Sequence, residues 1–418
     1  MELSFRIQSQ WTNQAYAHQL GKLIQENMKI NVSVVGRFHA FNLAAELEKK
    51  GYLNKLITTY PKFKVQQWGI PKNKIVSKLS LEIYKRYVDR VGIFPRNKLE
   101  NIAQRGLARA ASKYVTEADI CIGWSGNSLE AILQAKNLGK IFILERGSLH
   151  YNYQMKIIRE EAKKQGFTFF DPKKRLVPSI PNYNHWQREL LEYELSDYIS
   201  VPSQSVVDSF LEYGIPESKL IKNPYGVDLH EFYPVKKESD IFRVIHCGEI
   251  SFRKGIPCLL QAFSELDLEN SELWLVGSID PRMNDTLNKY QNGNIVLHGT
   301  KKQSDLHWYY SQCDIFCLTS IDDGLAMVQA QAMACQLPII ATENTGAAEL
   351  VEPEKNGFIV PIRDKEALKE KISYFYQNKE EVKRMGKAAK TTIENGFSWG
   401  DYGDRYSRNL EGIFSKHF

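Results

Sequence analysis

At 418 residues the chain is long enough for two domains with their own cores and too long for one ordinary domain. Hydrophobic residues make up 43% and charged residues 25%, the balance of a soluble globular protein, and a formal net charge of +6 is too small to call for nucleic acid. Six cysteines (Cys121, Cys247, Cys258, Cys313, Cys317 and Cys335) lie in apolar or mixed segments, without a CxxC pair or a histidine-rich cluster. They fit reduced, buried thiols of a cytosolic protein better than disulfides or a metal site. No apolar run approaches the roughly 18 residues of a membrane span, and no secretory signal is visible.

Residues 1–27 carry only weak helical propensity. They read either as an extension upstream of a natural start at Met28 or as an N-terminal helix. Met28 to Gly36 then reads as the first core strand of an α/β domain. Gly36, Arg37 and His39 follow at its carboxyl end, where open α/β sheets bind ligands, and a helix with Leu43, Ala44 and Leu47 on one face comes next. Leu53–Thr58 and Lys64–Trp68 read as short strands. From Pro71 to Glu100 the chain is basic and aromatic, a pattern that suits an anionic membrane surface or a solvated helix face. Ala118–Trp124 is a strand ending in Ser125-Gly126-Asn127, with a helix from Ser128 to Leu138. Lys140–Leu144 is another strand, and its end places Glu145, Arg146 and His150 within six residues. A long polar helical region to about Leu195 leads to the strand Tyr198–Pro202, a helix to Tyr213 and a short strand at Lys219–Ile221. Asn223 to Asp228, Phe232 to Pro234 and Lys236 to Asp240 form the best linker in the chain.

The second half repeats the alternation. Phe242–Gly248 is a strand, and Arg253-Lys254-Gly255 leads into a helix over Cys258–Leu266, supplying two cations and a flexible backbone of the kind a diphosphate needs. Leu273–Gly277 and Asn294–Gly299 are strands, and Asp305–Ser311 is a helix. Cys313 to Gly357 then reads as strand, acidic glycine loop (Asp322-Asp323-Gly324), small-residue helix (Ala326–Cys335), strand (Leu337–Thr342), and a second glycine loop (Thr345-Gly346-Ala347) opening a helix at Ala348. Two such turns put two helix N-termini beside one crevice, which suits an anionic ligand. Gln329 and Gln331 are the only polar side chains of the first helix, and a last helix starts at Phe397-Ser398-Trp399 and runs through Phe414. The pattern predicts an α/β fold of two doubly wound domains: 28–235, 236–397, and a C-terminal helix, 398–418, packing back toward the first, with a cleft between.

Asn223-Pro224-Tyr225-Gly226-Val227-Asp228 with Phe232 and Pro234, then Arg253-Lys254-Gly255, Gly299 and the stretch Ser320–Gly357 occur together and in this order. In this the chain resembles the retaining glycosyltransferases of family 4 (the group 1 glycosyl transferases), which have two Rossmann-like domains in the GT-B arrangement. The resemblance covers roughly Met28 to Phe414. It implies that Asp323 contacts hydroxyls of the transferred sugar, and that the amides of Gly324, Leu325 and Ala326 meet sugar and phosphates. Gln331 stands where the family has a glutamate that holds the ribose diol; a glutamine keeps an acceptor but gives up the charge-assisted bond. Of the family's diphosphate clamp Lys254 is retained. Glu249 stands where an arginine is expected, and Arg253 is the substitute cation. His150 matches a histidine near the donor sugar, Glu349 the glutamate after the second glycine loop. The acceptor side falls to Gly36, Arg37, His39, Ser125, Glu145 and Arg146.

The activity so implied is transfer of a sugar, with retained configuration, from a nucleotide diphosphate to a hydroxyl of a glycan or lipid-linked acceptor. UDP is placed ahead of GDP or ADP. No DxD motif is present, so no divalent ion and no cofactor are expected. The protein is expected in the cytoplasm, with peripheral contact at the inner membrane face through the basic stretch. The departures at Gln331 and Glu249 leave a nucleotide-sugar-binding protein without turnover as the main alternative, and a nucleotide-sugar epimerase of the same fold as a third.

Overall fold

The computed structural model describes residues 28–91, 96–166, 185–290 and 293–417. The two readings of residues 1–27 therefore lie outside the described residues, as do 92–95 of the basic stretch. The chain builds two sheets. The first contains β1 (Ile30–Val34), β2 (Leu53–Thr58), β3 (Ile75–Ser77), β4 (Ile120–Trp124), β5 (Ile141–Glu145), β6 (Tyr198–Val201) and β7 (Leu220–Lys222), in the order β3-β2-β1-β4-β5-β6-β7. Strands β1, β4 and β5 are buried along their whole length, and the pairs β3–β2, β2–β1, β1–β4 and β4–β5 are parallel. That is why these strands read as unbroken apolar runs and not as alternating ones.

The second sheet contains β8 (Phe242–Cys247), β9 (Ser271–Val276), β10 (Ile295–Gly299), β11 (Ile315–Leu318), β12 (Ile339–Thr342) and β13 (Gly357–Val360). Its order is β10-β9-β8-β11-β12-β13, and every neighbouring pair is parallel. Its core joins Val244, Leu273, Ile315 and Ile340 of the strands to Leu259 and Phe263 of the helix Ile256–Leu266 and to Leu368, Ile372 and Phe375 of the helix Lys365–Gln377.

Two compact units result. Among the described residues the first runs to Glu145 and takes in 185–199 and 403–417, and the second holds 146–166 and 200–402. The helix Trp399–His417 opens on a reciprocal cap. The Ser398 N–H donates to Asp401 at 2.9 Å and the Asp401 N–H to Ser398 Oγ at 3.1 Å. Within the first unit its later turns are held by Lys50–Asp404 at 2.6 Å and Tyr52–Glu411 at 2.7 Å. The segment read as a linker is tied down within the second unit: Val235 N–H donates to Ser311 Oγ, Glu238 N–H to Gln312 Oε1, and Lys237 pairs with Asp314.

Two local expectations are corrected. Lys64–Trp68 is not a strand but the helical turn Lys62–Val65 followed by the 3-10 turn Gln66–Trp68. Pro61 presets the entry and Gly69, at φ +78°, closes it. The helix expected at Ala348 is a single 3-10 turn, Ala347–Glu349. Pro353 follows too soon for a longer helix, since it removes an N–H and disfavours helical backbone in the residue before it. The second glycine loop therefore does not present a helix N-terminus. β3, β13 and the helices Lys365–Gln377 and Lys379–Glu394 were not anticipated.

Candidate functional site

In the second sheet the chain builds outward from β8 to β10, then crosses back to place β11 on the other side of β8. The carboxyl ends of β8 and β11 thus form the switch point at which doubly wound sheets leave a crevice. The loop after β8 brings Arg253 and Lys254, and the loop after β11 brings Asp322, Asp323 and Gly324. Backbone and side-chain bonds stitch the two loops together. The Ile321 N–H donates to Arg253 O at 3.0 Å, and Thr319 Oγ donates to Lys254 O and Gly255 O at 3.0 and 3.1 Å. Gly255 is required here: it sits at φ +66° and a Cβ would lie 1.9 Å from Thr319 O.

Four charged side chains meet at this seam. Lys254 Nζ lies 2.6 Å from Asp323 Oδ2, and Arg253 lies 3.5 Å from Asp323 Oδ1 while donating to Asp322 O at 2.8 Å. The two neighbouring aspartates live in opposite environments. Burial works against the Asp323 charge, but Lys254 and Arg253 outweigh it and hold the carboxyl below its ordinary value. Asp322 is fully buried, accepts a 2.5 Å bond from Gln154 Nε2, and has one oxygen without a partner among the described residues. Burial pushes its pKa up, with Gln154 and Arg253 opposing. Asp323 is thus the charged member and Asp322 the packed one. Below them His246 is fully buried, its Nδ1 3.2 Å from Cys317 O. Burial first, then Lys254, push its pKa down to about 4, so it is neutral.

The glycine loop is equally constrained. A Cβ on Gly324 would lie 2.1 Å from Gly147 O, and Ser203 Oγ donates to Gly324 O at 2.5 Å. Gly346 packs against Gly324 in turn. Leu325 is buried, and Ala326 is the N-cap of the helix Met327–Ala334, which has no side-chain cap. The topologically equivalent helix of the first sheet, Leu129–Asn137 after β4, is finished differently. Glu192, fully buried, accepts the N–H groups of Gly126, Ser128 and Leu129 at 2.5, 2.8 and 2.9 Å. The first unit fills that helix start with its own carboxyl group; the second leaves the corresponding start to a glycine loop beside two cations.

The remaining expected residues fall into place as follows. Gln331 is buried, with its Oε1 accepting from Tyr310 OH at 3.3 Å, and Gln329 Nε2 donates to Thr345 O at 2.9 Å, a bond that ties the helix to the second glycine loop. Glu349 accepts from the Gln204 N–H at 2.7 Å and from Lys222 at 3.2 Å. Gly299 ends β10 at φ +66°. His150 is buried and caps the helix Tyr151–Lys164 by accepting from the Asn152 N–H at 3.3 Å, and its ring stacks on Tyr213 at 4.6 Å. A capping, stacked imidazole is occupied by structural work. Arg146 donates to the carbonyls of Ser148 and Leu149.

On the first unit, Glu145 is buried between His39 Nε2 at 3.0 Å and Tyr406 OH at 2.6 Å, and the His39 ring packs on Trp124. Gly36 and Arg37 lie on the loop before His39, where the Gly36 N–H donates to Thr59 and Arg37 lies over the Trp68 ring. Ser125 Oγ has no partner among the described residues, although its N–H donates to Glu145 O at 3.0 Å. The acceptor-side residues Gly36, His39, Ser125 and Glu145 are therefore gathered at the carboxyl ends of β1, β4 and β5. Gln154, Glu192, His246 and Tyr406 were missed. Each acts through a partner far away in sequence, and only His246, a histidine inside an apolar strand, left a trace that could have been followed.

Residues 231–392 match the family model of group 1 glycosyl transferases. Among curated proteins, the capsular polysaccharide biosynthesis glycosyltransferase CapM of Staphylococcus aureus is 30% identical over 183 residues, which are 41% of this chain and 48% of that protein. The chain spans about half the length of the first curated relatives it matches. Among solved structures, sucrose-phosphate synthase from Thermosynechococcus elongatus superposes with a TM-score of 0.69 at 19% identity, covering 93% of this chain and all (100%) of that one. The Anabaena protein HepE in complex with UDP does so with a TM-score of 0.65 at 14% identity, over 92% and 100%. At such identities the likeness shows the fold alone, an α/β fold of two Rossmann-like domains in the GT-B class. The Lys254–Asp323 pair lies within the residues that match the group 1 glycosyl transferase model.

Proposed function

We propose that the second unit binds a nucleoside diphosphate sugar at the ends of β8 and β11, with UDP as the carrier. The protein would then transfer the sugar, with retention of configuration and as a member of family 4, to a hydroxyl of a glycan or lipid-linked acceptor. The observation that carries this reading is the contrast between the two equivalent helix starts. Glu192 occupies the one after β4, while the one after β11 has no side-chain cap and follows a loop whose Asp323 pairs with Arg253 and Lys254. An anionic ligand gains from cations and amide N–H groups in the second unit and would meet a carboxyl group in the first. The names of similar proteins agree: HepE has been solved with UDP-glucose, and CapM is named for capsular polysaccharide biosynthesis.

In this reading Lys254 and Arg253 offset the charge that builds on the diphosphate as the sugar–oxygen bond breaks, and Asp323 orients the sugar hydroxyls. The acceptor oxygen forms the new bond, and its proton leaves with the diphosphate. Two fixed cations do the work a divalent ion would otherwise do, so activity should survive EDTA. His39 and Glu145 would serve the acceptor side. Incubation with UDP-sugars, followed by measurement of UDP release and product anomer, tests the proposal. Release of UDP with a retained product supports it. An inverted product would remove the retaining assignment, conversion of the donor without an acceptor would indicate an epimerase, and tight binding without turnover a binding protein.

A further inference from the structure

We propose that the first unit binds an uncharged, hydroxyl-rich ring, a sugar, at the carboxyl end of β4, and that this site rejects a ring bearing a phosphate or carboxylate. The inference rests on the transferase reading only in naming that sugar as the acceptor. It starts from Trp124 Nε1, Ser125 Oγ and Asn127 Oδ1, three buried polar atoms without a hydrogen-bond partner among the described residues. Trp124 and Asn127 are themselves only 6% and 5% exposed. Buried polar groups are nearly always paired, because a stranded one keeps the full cost of its desolvation. Three of them on one turn point to a partner that arrives from outside. The turn closes β4 beside β1, where the first sheet reverses its strand order and doubly wound folds hold their ligands. His39, from the end of β1, packs its ring on Trp124 at 5.0 Å, and the Ser125 N–H donates to Glu145 O of β5 at 3.0 Å.

Hydrogen-bonding chemistry decides the class of ligand. The indole N–H only donates, the amide oxygen only accepts, and the hydroxyl does either. Sugar hydroxyls donate and accept, so they can satisfy all of these atoms. An ionised phosphate or carboxylate only accepts and would leave Asn127 Oδ1 stranded. Nor does the turn offer a seat for negative charge. The N–H groups of Gly126, Ser128 and Leu129 are taken by Glu192, and Arg37 lies over the Trp68 ring at 5.4 Å. Phe38, one residue before His39, is 65% exposed at φ +40°, left-handed backbone that a bulky side chain rarely adopts. An aromatic ring next to a few convergent polar groups is the composition of a small-molecule site, and the C–H face of a sugar packs on such a ring.

Calorimetric titration of the full chain, with and without UDP, tests this. The probes are octyl glucoside, galactoside, mannoside and N-acetylglucosaminide below their micelle-forming concentrations, set against octyl glucuronide and phosphorylated octyl glucoside. At least one neutral glycoside should bind, at least about tenfold more tightly than either anionic probe. Ser125→Ala and Phe38→Gly should each weaken that binding at least about fivefold. Neither should lower the melting temperature, because the hydroxyl has no partner to lose and glycine takes φ +40° without strain. A purely structural role for either side chain predicts the opposite, a lower melting temperature with unchanged binding. Binding by no neutral glycoside, an anionic probe that binds as well, or variants that bind like wild type would each overturn the proposal. The last result would mean that water alone serves these atoms. UDP binding without any glycoside would leave the donor site standing and refute this one, and a glycoside bound by a chain that ignores UDP would do the reverse.

Discussion

Lys254 and Asp323 stand 69 residues apart in sequence and 2.6 Å apart in space. They sit on the loops after β8 and β11, so their meeting is a product of the crossover that builds the second sheet. Without a ligand each neutralises the other. A diphosphate must compete with Asp323 for the ammonium group. The Asp323→Asn variant should therefore bind UDP several-fold more tightly, since it removes a negative charge worth about 1 kcal/mol at such a partly screened site. The same variant should lose turnover. Calorimetric titration beside a turnover assay checks both halves, and weaker UDP binding would count against the competition.

Asp322 should behave differently. Its carboxyl is buried, pushed up by that burial, and held by Gln154. Gln154→Leu strands a buried oxygen at a cost of about 1–3 kcal/mol. Thermal unfolding should show a lower melting temperature, and UDP affinity should fall because the loop that carries Asp323 and Gly324 loses its brace. Asp322→Asn, nearly isosteric and free of the charge that burial disfavours, should leave the melting temperature close to that of the wild type.

Glu192 gives a pH signature. Burial, working against three N–H donors, raises its carboxyl from an ordinary 4.5 to about 8. The folded chain then holds a proton that the unfolded chain releases, and the stability this brings is complete below the unfolded pKa and lost as pH rises through about 8. Melting temperature should fall between these limits, and Glu192→Gln should flatten that part of the profile. A steeper fall in the variant would refute the assignment.

His150 is settled by two substitutions. If the imidazole is a cap, His150→Asn should restore it, because asparagine is a good N-cap, whereas His150→Ala should cost about 1 kcal/mol. Turnover should then follow stability. A variant with an intact melting temperature and a hundredfold loss of turnover would return His150 to the reacting groups that the resemblance implies.

Much of the second unit was legible because its features are local. Arg253-Lys254-Gly255 and Asp322-Asp323-Gly324 each combine charge with a glycine at a strand end, and parallel strands buried on both faces leave continuous apolar runs. The choice of Asp323 over Asp322 came instead from the motif of the family that the chain resembles. What stayed hidden depends on distant partners. Nothing in the sequence around Glu192 shows that it will meet Gly126, Ser128 and Leu129, more than 60 residues earlier. The Tyr406–Glu145 bond joins the last helix to β5 across a separation of 261 residues. The missing helix at Ala348 has a different origin: the glycine loop was read without the proline that follows it at 353.

The most direct test of the central claim is titration of UDP into the wild-type chain and into Lys254→Met. Losing one charge-assisted contact of about 1.5–3 kcal/mol predicts roughly a tenfold to hundredfold weaker Kd for the variant, with an unchanged fold by circular dichroism. No binding of UDP, GDP or ADP to the wild type, or UDP binding that ignores the loss of Lys254, would contradict a diphosphate site at the ends of β8 and β11.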